Sequence, residues 1–154
     1  SLGLVGSEMC IRDSLMAEGR ADMTRALSDP KMQPSLPVPV TTLVRFEVLN
    51  AIERMVFETR NGGTARTSPE LALVAQDDFE TDLRTGTRFQ LIPLTLTDIE
   101  TEFDTLARRY TATHGFRTYD VIHVASALKL RCKRFLSFDA KANALAKLVG
   151  LKTL

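Results

Sequence analysis

The sequence predicts an α/β domain in which a parallel sheet is covered by helices on both faces. Short apolar runs alternate with stretches of helical period along the chain, the pattern of strand–helix–strand units. The segment 118–130 is apolar on almost every side of a helical turn, which marks a helix buried from most directions. An acid, Asp139, closes a short apolar strand just before another helical stretch, where open α/β sheets place ligands. A length of 154 residues fits one domain with room for a core. Apolar content of 44% with 25% charged residues fits a globular chain, and no apolar run approaches a membrane span. The net charge of +1 sets up no global basic field, so any nucleic-acid contact falls to local clusters. Arg108-Arg109 is one such cluster, and Arg117 with Arg131, Lys133 and Arg134 is another; taken singly, a solvated surface explains each equally well. Cys10 and Cys132 have neither disulfide-framework nor zinc spacing.

The elements follow in order. Residues 1–14 are expected to be foreign to the domain, which is expected to span 15–154. The run Glu8-Met9-Cys10-Ile11-Arg12-Asp13-Ser14 is what a transposase end sequence of sequencing-library adapters encodes, and such segments are set aside in fold reasoning. A short helix is expected over Ala21–Leu27, then a Pro-rich loop Pro30–Pro37 and a strand Val38–Thr41. Thr42 to about Arg60 is a helix with Leu43, Phe46, Leu49, Ile52, Val56 and Phe57 on its apolar sides. Its polar stripe, Glu47, Asn50, Arg54 and Glu58, reads on spacing alone as a solvent face. Asn61-Gly62-Gly63 turns the chain, and Thr67 or Ser68 caps a helix from Pro69 to about Leu83. A strand runs from Arg88 to Leu94. Thr97 opens a helix through a Thr97…Glu100 capping box, with Ile99, Phe103, Leu106, Ala107 and Tyr110 inward, and His114-Gly115 closes it.

Thr118 caps the buried helix, in which Asp120, His123 and Ser126 are the exceptional polar residues. Asp120, His123 and Ala127 share one stripe. A strand Lys133–Phe138, a helix Ala140–Val149 and a terminal strand over 151–154 complete the chain. Singly, Asp120 serves a helix dipole and Asp139 an N-cap, and neither needs a functional explanation.

Together the motifs carry more. Arg117, Asp120, His123, Ala125 and Ala127, then Ser137-Phe138-Asp139, then Ala146 and Gly150-Leu151, stand at the spacing of the C-terminal half of a PIN domain. With Thr41–Ala51 upstream (TTLVRFEVLNA), most of the chain from about Leu15 resembles PIN ribonucleases of the VapC toxin type. Ser137 stands where the family has Thr. The resemblance implies a three-layer α/β/α fold around a central parallel sheet. It implies Glu47, Asp120 and Asp139 as catalytic acids that hold Mg²⁺ or Mn²⁺. By position and charge, Arg117 and Asn50 are expected toward the substrate, with weaker claims for Lys141 and Arg54. RNA is the implied substrate, a cognate antitoxin the implied partner, a homodimer the implied assembly and the cytoplasm the implied compartment. The family's first strand, with its first acid, falls where the adapter-like residues stand. It is therefore expected to be lost, weak or replaced, with Asp13 the one nearby mimic and little or no nuclease activity in the chain as written.

Hard carboxylate oxygens suit such cations, and a bound cation activates water and offsets charge developing at a phosphodiester. His123 is read as a core histidine in preference to a general acid. The alternative function is a catalytically silent PIN-like module that binds an antitoxin or RNA. A phosphotransferase using Asp139 as nucleophile lacks a Gly-rich phosphate loop.

Overall fold

The computed structural model describes residues 2–4, 37–137 and 139–153. The expected helix Ala21–Leu27, most of the Pro-rich loop, the run Glu8–Ser14 with Asp13, and Phe138 lie outside the described residues.

Strand β1, Leu2–Leu4, pairs in parallel with β4, Arg134–Leu136, in the register Leu2–Arg134, Gly3–Phe135 and Leu4–Leu136. Strand β2, Val38–Thr41, pairs in parallel with β3, Phe89–Ile92. β1 lies beside β2, yet the ladders join β1 only to β4 and β2 only to β3 among the described residues. Pro39 gives a reason. Val38 donates its N–H toward β3 at 2.8 Å, so the alternating position 39 points away from β3, and proline has no N–H to offer there. The first strand, expected to be lost, weak or replaced, is replaced by a short one. A strand from the adapter-like segment stands in the parallel sheet, three residues long and without a carboxylate in it.

Helix α1, Thr42–Arg60, starts where Thr41 Oγ1 accepts from Val44 N–H at 3.3 Å. α2, Pro69–Thr85, has Ser68 as its cap and Pro at its start, and Gly86 ends it in the left-handed conformation at φ 65°. α1 and α2 pack through Ile52, Val56 and Ala72, flanked by the Arg45–Glu80 ion pair and a Gln76–Glu53 hydrogen bond of 2.6 Å.

The next helix begins differently from expectation. The reciprocal box joins Thr95 to Asp98, not Thr97 to Glu100. Thr95 N–H and Oγ1 donate to Asp98 Oδ2 at 2.8 and 2.7 Å, and Asp98 N–H donates back to Thr95 Oγ1 at 3.3 Å. A 3₁₀ turn, Thr97–Ile99, leads into α3, Glu100–Leu106, which widens to a π-helix over Ala107–Thr111 before Ala112–His114.

α4 is Thr118–Lys129 and α5 is Ala140–Leu148. The main core gathers Ile99 and Leu106 from α3 and its lead-in turn, Val121, Val124 and Ala125 from α4, Phe135 from β4, and Leu145 from α5. The terminal strand is reduced to one parallel bridge, Arg134–Lys152, held by Phe135 N–H to Lys152 O at 2.8 Å. The whole is a mixed α/β fold with parallel strands, consistent with the expected α/β/α arrangement.

Candidate active site

The centre of α4 was expected to be apolar with a few polar exceptions, and the exceptions are buried with the rest: Asp120 is 4% exposed and His123 2%. The helix begins one residue earlier in capping terms than expected, with Arg117 at the N-cap and Thr118 already helical. An arginine side chain has donors only and cannot accept from a helical N–H. Asp120 takes up that role in reverse, accepting from Arg117 N–H with Oδ2 at 2.8 Å. The carboxylate is thereby fixed at the positive end of a buried helix, where negative charge is favoured. Ser126 returns its hydroxyl to Ile122 O at 2.8 Å and takes no part in the site.

Glu47 departs most from its spacing. Its stripe on α1 reads as solvent-facing, and Asn50 and Arg54 are exposed, but Glu47 is 9% exposed. Oε1 lies 3.1 Å from His123 Nε2, a buried contact between α1 and α4. Oε2 is buried and has no hydrogen-bond partner among the described residues. Because His123 follows Asp120 by one turn, Glu47 meets the same stripe of α4 that carries Asp120. Sequence reading placed His123 in the core, where it is; its bond to a residue 76 positions away left no signal in local spacing.

Asp139 N-caps α5. Oδ1 accepts from Lys141 N–H at 2.7 Å and Ala142 N–H at 2.9 Å, while its own N–H donates to Ser137 Oγ at 3.0 Å. Lys141 Nζ donates to Gly115 O at 2.9 Å and so ties the start of α5 to the loop before α4. Arg117 is exposed beside that loop.

A divalent cation suits these oxygen donors, and the unpartnered Glu47 Oε2 is an atom that such an ion would satisfy. Glu47 reaches His123 on the stripe of α4 that also carries Asp120, but no three His, Cys, Asp or Glu side chains stand together as a metal-holding group among the described residues. The acids have separate local partners: Glu47 has His123, Asp120 has the Arg117 N–H, and Asp139 has the first turn of α5.

No helix among the described residues is long and apolar enough to cross a membrane. No curated protein matches the chain. The family model of the PIN domain matches residues 25–148, a span that includes α1 with Glu47, α4 with Asp120 and the cap of α5 at Asp139. PIN domains are generally nucleases and typically depend on divalent metal ions. With its motifs and its mixed α/β fold in agreement, this chain belongs to the PIN domain family.

Proposed function

We propose that this protein is a metal-dependent endoribonuclease of the VapC toxin type, acting in the cytoplasm on RNA. The observation that carries the proposal is Glu47: a buried carboxylate, unpartnered at Oε2, set against the stripe of α4 that bears Asp120. Glu47, Asp120 and Asp139 would hold Mg²⁺ or Mn²⁺, which supplies an activated water and charge neutralisation at the phosphodiester. The chain's own residues supply the rest. Two of the acids sit at helix N-termini, where the helix dipole favours negative charge. Arg117, exposed at the start of α4, orients a phosphate by charge-assisted hydrogen bonds. Asn50, exposed one turn beyond Glu47, would contact the substrate.

A cognate antitoxin and a second copy of the chain are the partners the reading entails. Exposed large apolar residues support such partners: Phe46 and Phe57 on α1, and Leu71 and Val74 on α2.

The test is cleavage of single-stranded RNA by the domain with a first strand that supplies the family's N-terminal acid. Cleavage is expected to require Mg²⁺ or Mn²⁺ and to be abolished in Asp120→Asn, which keeps the shape but loses the charge. Cleavage undiminished in EDTA, or by Asp120→Asn, overturns the proposal. That no three-acid grouping stands together among the described residues favours a second reading, a catalytically silent PIN module that binds antitoxin or RNA. RNA binding with no cleavage, once the first acid is supplied, would decide for it.

A further inference from the structure

Glutamate reaches its site on a side chain with three rotatable bonds, so a ligand role needs something to fix its carboxylate. His123 is the group in place to do so. Its Nε2 is 3.1 Å from Glu47 Oε1, it is 2% exposed, and it comes from a different helix. A carboxylate only accepts hydrogen bonds, so Nε2 is the protonated ring nitrogen in this pair. That bond engages one oxygen of Glu47 and leaves Oε2 buried with no partner among the described residues. A lone buried carboxylate oxygen is costly, and a structure that keeps one calls for an occupant such as an ion.

Building on the nuclease reading, we infer that His123 is a positioning residue: it binds Glu47 Oε1 and presents Oε2 alone to the divalent cation. Groups that hydrogen-bond a metal-binding carboxylate orient it, and their loss commonly lowers metal affinity about 10–100-fold. The same geometry argues against His123 as general acid. Its Nε2–H is committed to Glu47, and its burial separates it from a leaving group.

The experiment measures Mn²⁺ affinity of the 154-residue chain by electron paramagnetic resonance, alongside thermal melting without metal. His123→Leu removes the donor at similar bulk and is expected to weaken Mn²⁺ binding about 10–100-fold. His123→Gln carries an amide N–H that can reach Oε1 and is expected to restore most of the affinity, whatever its melting temperature. If His123→Leu does not fold, His123→Asn replaces it, since its shorter amide falls short of Oε1. Wild-type affinity in His123→Leu or His123→Asn, or no recovery in His123→Gln, overturns the positioning role and leaves the nuclease reading standing. A wild-type chain that binds no Mn²⁺ overturns the positioning role, and the nuclease reading is then decided by the cleavage test on the domain that carries the family's first acid.

Discussion

Asp120 closes a helix end and, in the proposed reaction, also holds a cation, and substitution separates the two. Asp120→Asn keeps an oxygen for Arg117 N–H and is expected to melt close to wild type while losing metal-dependent cleavage in the domain that carries the family's first acid. Asp120→Ala removes the acceptor and is expected to cost about 1 kcal/mol by urea unfolding. Equal destabilisation by Asn and Ala would mean that the charge, not the hydrogen bond, holds the helix end. Cys132 offers a second test of local burial. It is 6% exposed, and burial pushes its thiol above the usual cysteine range. In a Cys10→Ser chain, Cys132 is expected to react with a disulfide reagent far more slowly than after unfolding in urea; equally fast labelling of the folded chain would contradict its place in the core. The spaced motif singles out three acids by resemblance, but not where they point. Glu47 shares a stripe with the exposed Asn50 and Arg54, and only the contact with His123, 76 positions away, explains why it turns inward.

Helix ends were legible wherever one residue type settles them. Ser68 and Pro69 start α2, and Gly115 closes the segment before α4, each as its chemistry requires. Ends with competing signals were not. Thr95-x-x-Asp98 and Thr97-x-x-Glu100 carry the same capping signature two residues apart, and the first prevails through three hydrogen bonds. The side-chain and then the backbone bond from Thr95 hold the Asp98 carboxyl below the ordinary aspartate range. A folded value below the unfolded one gives stability that is present above the unfolded pKa and lost as pH falls through the folded one. Between about pH 5 and pH 2, wild type is therefore expected to lose more melting temperature than Asp98→Ala. Parallel curves would contradict the box. The end of α4 carries a different misfit. Arg131 sits at φ 53°, where glycine is the usual residue after a helix. Arg131→Gly is expected to stabilise the fold by about 0.5–1 kcal/mol, since the left-handed cost to an L-residue exceeds the added chain entropy of glycine. A loss of stability would point to a contact of the Arg131 side chain that outweighs its backbone strain.

Across the whole molecule, the alternation of strands and helices made the α/β class legible, and boundaries moved by a few residues where strands were short. The expected strand over 88–94 narrows to Phe89–Ile92, and the terminal strand to a bridge at Lys152. The first strand was expected to be lost, weak or replaced, and a three-residue replacement stands there. Leu2–Leu4 was set aside with the adapter-like run, yet its backbone pairs with β4, because parallel pairing depends on backbone groups that any non-proline residue offers. A strand there does not supply the family's first acid. The chain as written is accordingly expected to cleave RNA little or not at all, and robust cleavage that disappears in Asp13→Asn would show that Asp13 completes the site. The central claim, that Glu47, Asp120 and Asp139 share one cation, is tested most directly by Mn²⁺ titration of the chain and of Glu47→Gln, Asp120→Asn and Asp139→Asn. Each substitution keeps one acceptor oxygen, exchanges the other for an NH2 group and removes the charge. Each is expected to weaken Mn²⁺ binding, and pairs of them to show less than additive loss, as groups acting on one ion do. Mn²⁺ affinity unchanged by any one of the three would contradict the shared site.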